Sequence, residues 1–437
     1  MRRWLLEEYF PYYEWSVAAN SVERTSSAVS QFEDWVLKNY FALTKTEAFA
    51  PFFLRQALSK AVESGPAVVI VVDGLSWGFC SEMGIRLAQC GISSPPPMPT
   101  ITTLPSETST AKPSLIRGQL PGQIVYDDQP SYGVLLSESM GLDPNEIAMA
   151  STPEKTLEDL IRPKKQAYLY LYNNLDELVH KSLSPEKRRQ LISSTLDDLC
   201  QEVAEARKLF LIRHGVAPTF IVCSDHGFTE LPKPTKVTCQ PECGEALLSH
   251  CRVLRTNCLP ELVGEGLATV SRDMLGGGNV LYIISRGYTC VGSRPRGATH
   301  GGLTPQEIIV PVWALGDEDV TYRDVEIALV GEVRRGRPEN VVELRIANPN
   351  ATSVRVQDVK LTRATISRHL PVDVPPNGEA VVQTVIDATG LVAASLALEG
   401  YVAVGFAGNT KMTPITRTIQ TTGAAVSDLL FEQEFDE

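Results

Sequence analysis

The stretch AVVIVVDG, residues 67–74, decides the fold, because six apolar residues run without interruption into Asp73 and Gly74. A continuous apolar run of this length is typical of a strand that is buried on both faces, as in a sheet covered by helices. Ligands of such α/β sheets bind beyond the carboxyl ends of the strands, which is where Asp73 would lie, with Gly74 allowing a sharp turn. The stretch therefore predicts a covered sheet with a carboxylate at its ligand-binding edge.

Two further segments repeat this pattern. The run FIVCS is followed by Asp225, His226 and a glycine, and the run AYLYLY is followed four residues later by Asp176. His180 comes four residues after Asp176, a spacing that places a carboxylate and an imidazole on one face of a helical turn. Carboxylates and imidazoles are ligands of divalent cations, so these segments predict metal binding at the same edge of a parallel sheet.

A glycine-rich loop, GATHGG, supplies a further imidazole, that of His300. The loop can bend to deliver this side chain to the sheet edge, and the chain holds only six histidines, of which three lie in these segments. Taken singly, each residue has an ordinary structural explanation, such as a turn aspartate or a surface pair. Their joint position at strand ends of one domain favours a metal site.

A cluster of hydroxyls lies in PSETSTAKPSLIRG, residues 105–118. A helix is predicted to begin near Thr108–Thr110, and the free N–H groups at such a start can bind phosphate. A hydroxyl there could equally be a helix N-cap. Residue chemistry alone does not separate Thr108 from Ser106 or Thr110 as a reactive group. Lys112, one turn later, could contact a phosphate oxygen or face solvent.

The chain alternates apolar runs with amphipathic segments, which predicts a doubly wound α/β domain over residues 63–318. Residues 1–62 are predicted to be helical, with one helix over about Ser27–Ala42. A second helix is predicted to begin at Ser184–Pro185, where serine suits the N-cap and proline the first helical position. The predicted strands are Ala67–Val72, Met98–Leu104, Ala167–Tyr172, Thr219–Cys223, Val280–Ile284 and Ile308–Leu315.

The pattern changes near residue 319. Short β-branched runs separated by turn residues continue to about residue 420, which predicts a β-sandwich over 319–420. No residue cluster in this region suggests chemistry. Residues 421–437 form an acidic tail, which is predicted to be a flexible end or a docking segment.

Composition narrows the class of protein. The chain has 437 residues, enough for two or three domains, with 43% hydrophobic and 21% charged residues. No apolar run reaches the roughly 20 residues of a membrane span, and the N-terminus shows no signal-peptide core, so we expect a cytoplasmic protein without membrane partners. The nine cysteines are expected to be reduced thiols. A structural zinc site in the Cys239–Cys258 cluster, whose spacing matches no usual motif, is the alternative.

The net charge of −12 does not suit broad, sequence-independent binding to duplex DNA. A nucleic-acid substrate could still lie in a local basic groove. The runs Lys164-Lys165 and Lys187-Arg188-Arg189 could line one, although such charges more often form the solvated face of a helix.

The motifs together resemble the PglZ domain family of the alkaline phosphatase superfamily, found in bacteriophage-exclusion (BREX) systems. The resemblance covers residues 63 to about 315 through VVDGLSW, PSETSTAKPSLIRG, NNLDELVHK, CSDHGF and GATHGGLTPQEIIVPV. The flanking aromatic N-terminal stretch and the β-rich C-terminal region also resemble BREX members. Larger members carry a long region before the stretch where Met1 begins, so the chain resembles a short form or a fragment of them.

The resemblance implies how the site residues are used. Superfamily phosphodiesterases carry the nucleophile in a Pro-x-x-Thr segment ten residues before a glycine, which selects Thr108. By position, the family pattern sorts the ligands into two metal ions. The first would be held by Asp73, Asp225, His226 and the Thr108 oxygen, and the second by Asp176, His180 and His300. Zinc is the first choice for this donor set and manganese the second.

The resemblance therefore implies a metal-dependent phosphohydrolase. We expect it to be a phosphodiesterase that acts on nucleotides or nucleic acids through a phosphothreonine intermediate and works beside other phage-defence subunits. One alternative is a non-catalytic, metal-binding scaffold subunit of such a complex. Another is a monoesterase or mutase of the same superfamily.

Overall fold

We describe the protein from a computed structural model. The structure describes residues 2–92, 95–124, 130–231, 233–237, 247–249, 251–257, 264–291, 295, 297–315, 323–350, 354–366, 370–375, 377–406 and 409–423. Most of the predicted cysteine cluster and most of the acidic tail lie outside these residues.

The chain forms two compact units. The α/β unit comprises Met1–Met83 and Pro97–Asp317, and the β unit comprises Gly84–Pro96 and Glu318–Glu437. All the residues proposed for metal binding or phosphoryl transfer belong to the α/β unit.

The helices and strands of residues 1–317 follow the predicted alternation. The α-helices are α1 (Arg2–Trp4), α2 (Phe10–Ala18), α3 (Ser26–Leu43), α4 (Ala50–Ser64), α5 (Cys80–Gln89), α6 (Thr108–Arg117), α7 (Tyr132–Met140), α8 (Leu157–Leu160), α9 (Asn174–Val179), α10 (Pro185–His214) and α11 (Pro305–Ile308), with a π-helical turn at Leu5–Tyr9 and 3-10 turns at Val22–Thr25, Trp77–Phe79, Pro121–Gln123 and Pro144–Glu146. The strands are β1 (Ala67–Val72), β2 (Met98–Ile101), β3 (Ile147–Ser151), β4 (Ala167–Tyr172), β5 (Thr219–Cys223), β6 (Thr235–Val237), β7 (Leu247–Ser249), β8 (Val253–Thr256), β9 (Leu267–Val270), β10 (Leu281–Ser285), β11 (Thr289–Val291) and β12 (Ile309–Leu315).

A six-stranded sheet forms the centre of the α/β unit, with the strand order β2-β12-β5-β1-β4-β3. Strands β1 and β4 are buried along their whole length, as their continuous apolar runs predict. Strands β1, β3, β4 and β5 are parallel to one another, whereas β12 runs antiparallel to both of its neighbours. The predicted α/β fold is therefore confirmed, and the sheet is mixed because β12 departs from the parallel arrangement of the other strands.

A second, antiparallel sheet has the order β7-β8-β10-β9. The predicted strand Val280–Ile284 is observed as β10, but it lies in this smaller sheet rather than in the central one. An isolated apolar run fixes a strand without fixing its partners, which explains the difference. Strands β6 and β11 form a short parallel pair.

The helices confirm their sequence signals. Helix α10 begins at Pro185, and the Ser184 hydroxyl accepts a hydrogen bond from the Lys187 N–H at 3.2 Å, which is the expected N-cap. Helix α3 extends one residue beyond the predicted range at each end. Aromatic and aliphatic side chains of α2 and α3, including Phe10, Phe32 and Val36, share an apolar core with β8, β9 and the segment before β12.

The β unit consists of two sheets that share one apolar core, as the turn-rich sequence predicts. Its strands are β13 (Glu326–Val330), β14 (Val333–Arg334), β15 (Asn340–Ala347), β16 (Val354–Leu361), β17 (Ala364–Ile366), β18 (Val372–Val374), β19 (Glu379–Ile386), β20 (Ser395–Phe406) and β21 (Asn409–Thr422). The sheet orders are β13-β15-β19-β17 and β14-β21-β20-β16-β18. Burial alternates along β15, so Leu344 faces the core while Val341 is exposed.

Within the described residues, no helix is long and apolar enough to cross a membrane.

Candidate metal centre

The six proposed ligands converge at one edge of the central sheet. Asp73 directly follows β1, Asp225 and His226 follow β5, and Asp176 lies in α9, just beyond β4. These three parallel strands end at the same edge. His300 instead precedes β12, and it reaches this edge because β12 runs in the opposite direction.

The first group consists of Asp73, Asp225 and His226. One ligand atom from each lies within 4.8 Å of the others. The Nε2 atom of His226 is 3.1 Å from Asp73 Oδ1 and 3.8 Å from Asp225 Oδ2. All three side chains are buried, and Gly74 follows Asp73 with a φ of +83°, which gives the predicted sharp turn.

The second group consists of Asp176, His180 and His300. The Nε2 atom of His180 is 3.3 Å from Asp176 Oδ1, and that of His300 is 3.5 Å from the same oxygen. The two Nε2 atoms are 3.1 Å apart. The spacing of four residues does bring Asp176 and His180 together, at the end of α9.

The two groups adjoin each other. The rings of His226 and His300 stack with centroids 3.8 Å apart and planes inclined by 15°. Ligand atoms of Asp176, His226 and His300 also lie within 4.8 Å of one another, so His226 could serve either group.

Main-chain contacts orient two of the imidazoles. The Nδ1 atom of His226 lies 3.0 Å from the Gly227 carbonyl oxygen, and that of His300 lies 3.1 Å from the Ser106 carbonyl oxygen. A carbonyl can only accept a hydrogen bond, so Nδ1 donates in both rings. In the neutral ring this leaves the lone pair on Nε2, the atom that faces the carboxylates.

The donor set fits divalent cations. Both Asp225 carboxylate oxygens and Asp176 Oδ1 are buried and accept no hydrogen bond from any described residue. Buried carboxylate oxygens without such partners are costly unless a cation lies against them. Oxygen and imidazole donors without thiolate suit zinc or manganese.

The local field favours positive charge. Burial and the neighbouring Asp73 carboxylate raise the pKa of Asp225 to about 6. Burial alone would lower the pKa of His226, but the Asp225 and Asp73 carboxylates outweigh it and raise this pKa to about 10. The carboxylates therefore stabilise any positive charge placed among them, as a metal site requires.

Thr108 places its hydroxyl against the first group. Helix α6 begins at this residue, and Thr108 Oγ1 is 2.9 Å from His226 Nε2 and 3.5 Å from Asp73 Oδ1. The other two candidate hydroxyls have different contacts. Ser106 Oγ donates to the Gly302 carbonyl at 2.9 Å, and Thr110 Oγ1 donates to Glu107 Oε1 at 3.1 Å.

Lys112 is buried rather than solvent-facing, so that alternative was wrong. It is 4% exposed, and its ammonium donates to Asp73 Oδ2. Arg188 fits neither alternative given for its charge run, a basic groove or the solvated face of a helix. It is 1% exposed and pairs with Glu230, with Nη1–Oε1 at 2.6 Å. Each case reflects a long-range partner that the local charge pattern does not reveal.

A buried ion pair that the sequence reasoning missed supports the His300 loop. Arg252 donates to Glu307 through Nε at 3.0 Å and through Nη2 at 2.6 Å. Glu307 in turn accepts a hydrogen bond from the Gly302 N–H at 3.1 Å. A Cβ atom on Gly302 would lie 2.0 Å from Arg252 Nη2, so only glycine fits there. The motif GGLTPQE contains Glu307 and two of the loop glycines, but nothing in it indicates the arginine.

Carboxylates, imidazoles and a hydroxyl thus lie together at one edge of a mixed α/β sheet. Residues 53–315, more than half of the chain, match the family model described as the BREX system PglZ alkaline phosphatase-like domain. The chain therefore belongs to the PglZ family, and the resemblance drawn from the motifs is confirmed.

Solved structures that resemble the chain include an ectonucleotide pyrophosphatase/phosphodiesterase. The murine ectonucleotide pyrophosphatase/phosphodiesterase 5 is 12% identical, with a TM-score of 0.41, over 57% of this chain and 87% of that one. The human protein of the same name is 9% identical, with a TM-score of 0.41 and the same coverage. A search of curated proteins found no match.

Proposed function

We propose that the chain is a metal-dependent phosphohydrolase that cleaves nucleotide or nucleic-acid phosphodiesters, with Thr108 as nucleophile and two divalent cations as cofactors. One observation carries the proposal. The buried Asp225 oxygens accept no hydrogen bond from any described residue, and they lie in the group whose His226 is 2.9 Å from the Thr108 hydroxyl. Membership of the PglZ family, whose model is described as BREX, supports a role beside other subunits of a phage-defence system.

The ligands would divide as the family resemblance implies. Asp73, Asp225 and His226 would hold one cation beside Thr108, and a second would be held by Asp176, His180 and His300. When bound, the cations would supply Lewis acidity and positive charge at the phosphoryl oxygens.

The chain's own residues account for the remaining chemistry. Thr108 Oγ1 attacks phosphorus, and the new phosphorus–oxygen bond forms as the bond to the leaving oxygen breaks. The proton of this hydroxyl, whose pKa a cation beside it would lower, can pass to solvent water. The positive end of α6, which begins at Thr108, stabilises the negative charge that develops. Water then cleaves the phosphothreonine and restores the hydroxyl.

The test is hydrolysis of bis-p-nitrophenyl phosphate by wild type, T108A and T110A. We expect T108A to lose about 10³-fold or more in kcat/KM while it still binds metal and melts close to wild type. T110A removes a neighbouring hydroxyl that is bound to Glu107, and it should stay within a few-fold of wild type. Full activity in T108A would contradict the nucleophile assignment.

Three further measurements separate this proposal from the alternatives: chelation with metal add-back, metal uptake, and comparison of monoester with diester turnover. A chelator should abolish turnover, and added Zn²⁺ or Mn²⁺ should restore it. Metal binding without turnover of any ester would favour the scaffold subunit. Faster turnover of p-nitrophenyl phosphate than of the diester would favour a monoesterase or mutase. Wild-type protein that takes up no metal would contradict the metal centre itself.

A further inference from the structure

Lys112 lies inside the first ligand group. It is one helical turn after Thr108 in α6, and its side chain is almost fully buried. Its ammonium donates to Asp73 Oδ2 and lies 3.9 Å from Asp225 Oδ2. The ammonium therefore contacts one carboxylate and adjoins another of the three donors proposed for the first cation.

A buried ammonium is stable only where it is paired, and the same holds for the carboxylates. Asp73 and Asp225 bury two negative charges, and Lys112 brings one positive charge against them. In the metal-free protein, the lysine thus supplies part of the positive charge that a divalent cation would bring to these carboxylates.

A neutral partner for the ammonium also lies within reach. Asn173 Oδ1 is 3.3 Å from Lys112 Nζ. The Nδ2 atom of the same side chain donates to the Thr152 carbonyl oxygen at 3.4 Å. This second contact keeps the amide oxygen turned toward the lysine. The ammonium can therefore leave Asp73 without losing every hydrogen-bond acceptor.

We propose that the Lys112 ammonium competes with the first metal ion for the Asp73 carboxylate. This ammonium holds Asp73 in the metal-free protein and gives way when a divalent cation binds Asp73, Asp225 and His226. This inference rests on the proposed function only in taking these three residues as a metal site.

Unequal loading of the two sites follows. Within the described residues, Asp176 forms ion pairs with His180 and His300 and with no lysine or arginine. A cation at that group displaces no ammonium, whereas a cation at the first group must separate the Lys112–Asp73 pair. The group of Asp176, His180 and His300 should fill first, and the first group should bind more weakly.

The experiment is calorimetric titration of the chelator-treated full chain with Mn²⁺. Wild type should show two steps of unequal affinity. K112M and K112Q, both neutral, should tighten the weaker step by about tenfold or more and leave the stronger step unchanged. K112Q keeps a donor for Asp73, so it serves if methionine disturbs folding. K187M removes the same charge from an exposed position of α10 and should match wild type.

The direction of the change distinguishes this role from a structural one. A substitution that damaged the site would weaken metal binding, whereas removal of a competing ammonium would strengthen it. An unchanged or weakened second step in folded K112M and K112Q would overturn the inference and leave the proposed function standing. Two equal steps in wild type would also overturn it. Absence of any Mn²⁺ binding by wild type would overturn the metal centre, and the inference with it.

Discussion

The two units of the molecule differ in the polar groups that they bury. Among the described residues, every buried aspartate, glutamate, lysine, arginine and histidine belongs to the α/β unit: Glu33, Asp73, Glu107, Lys112, Arg188, Asp225, His226, Glu230, Arg252, His300 and Glu307. The buried polar residues of the β unit that the structure describes are asparagines and threonines. One unit therefore buries charge and the other does not.

The asparagines of the β unit are satisfied locally. Asn348 Nδ2 donates to the Val374 and Pro375 carbonyls at 3.2 and 3.0 Å, and Asn350 Nδ2 donates to the Arg323 carbonyl at 2.9 Å. Such side chains hold turns and lose little on burial, because their hydrogen bonds are complete. The α/β unit instead keeps buried carboxylate oxygens that accept no hydrogen bond from the described residues, which lowers stability unless a cation compensates. Among the described residues, unsatisfied buried carboxylates therefore mark the unit in which chemistry is expected.

The largest expected effect comes from neutralising one of these carboxylates. Asp225→Asn should lower phosphodiester turnover by about 10⁴-fold, because a proposed metal ligand is lost. The same change should raise the stability of the metal-free protein, since it removes a buried charge that accepts no hydrogen bond from the described residues. Initial rates with added Mn²⁺ and urea unfolding after chelation measure the two effects.

The matched control is Asp387→Asn, an exposed aspartate of the β unit whose Oδ1 accepts a hydrogen bond from the Thr389 N–H. It should leave turnover unchanged. Equal loss of activity in both variants would contradict the assignment of chemistry to one unit.

A somewhat smaller effect is expected from breaking a buried ion pair. Arg252→Met leaves the Glu307 carboxylate buried without its guanidinium, which should cost about 3–5 kcal/mol on urea unfolding. Because Glu307 also binds the His300 loop, Mn²⁺ affinity should fall as well. Arg345→Met removes a half-exposed arginine from β15 and should cost less than about 1 kcal/mol. Comparable losses in both variants would remove the distinction between the units.

The third expected effect concerns packing alone. Leu344→Ala creates a cavity in the core of the β unit and should cost about 2–5 kcal/mol, without affecting Mn²⁺ affinity or turnover below the unfolding transition. Val341→Ala, on the exposed face of the same strand, should change stability little. Calorimetric melting and activity measured on the same samples check this. Loss of metal affinity in folded Leu344→Ala would show that the β unit supports the site.

The sequence predicted those elements whose signals are local. Strands β1, β4 and β5 were placed residue for residue because continuous apolar runs end at polar turns, and α10 was placed by its capping serine. Strand β3 was missed because it lies at an edge of the sheet and is only partly buried, so its apolar pattern is weak. The direction of β12 depends on its neighbours, which no local pattern encodes.

The sequence predicted which residues belong to the candidate site, but it did not predict which of them contact one another. Proximity to strand ends pointed to the candidate ligands, since parallel strands share an edge. The choice of Thr108 from three hydroxyls required the family pattern, because only the exact start of α6 determines which hydroxyl faces His226. Lys112 with Asp73 and Arg252 with Glu307 are separated by tens of residues in sequence, so neither pair could be inferred from spacing.

The carbonyl oxygens that orient His226 and His300 belong to the main chain, which affects how substitutions can alter the two rings. In many metal sites the group that orients an imidazole is a side chain, and a single substitution can remove it. Here the acceptors are the carbonyl oxygens of residues 227 and 106, which every amino acid would supply. A substitution at residue 106 would keep its carbonyl, whereas a Cβ atom on Gly227 would lie 2.1 Å from the Gln306 carbonyl oxygen and would displace the acceptor of His226. The orientation of both Nε2 atoms therefore depends on the backbone path through residues 106 and 227 rather than on a neighbouring side chain.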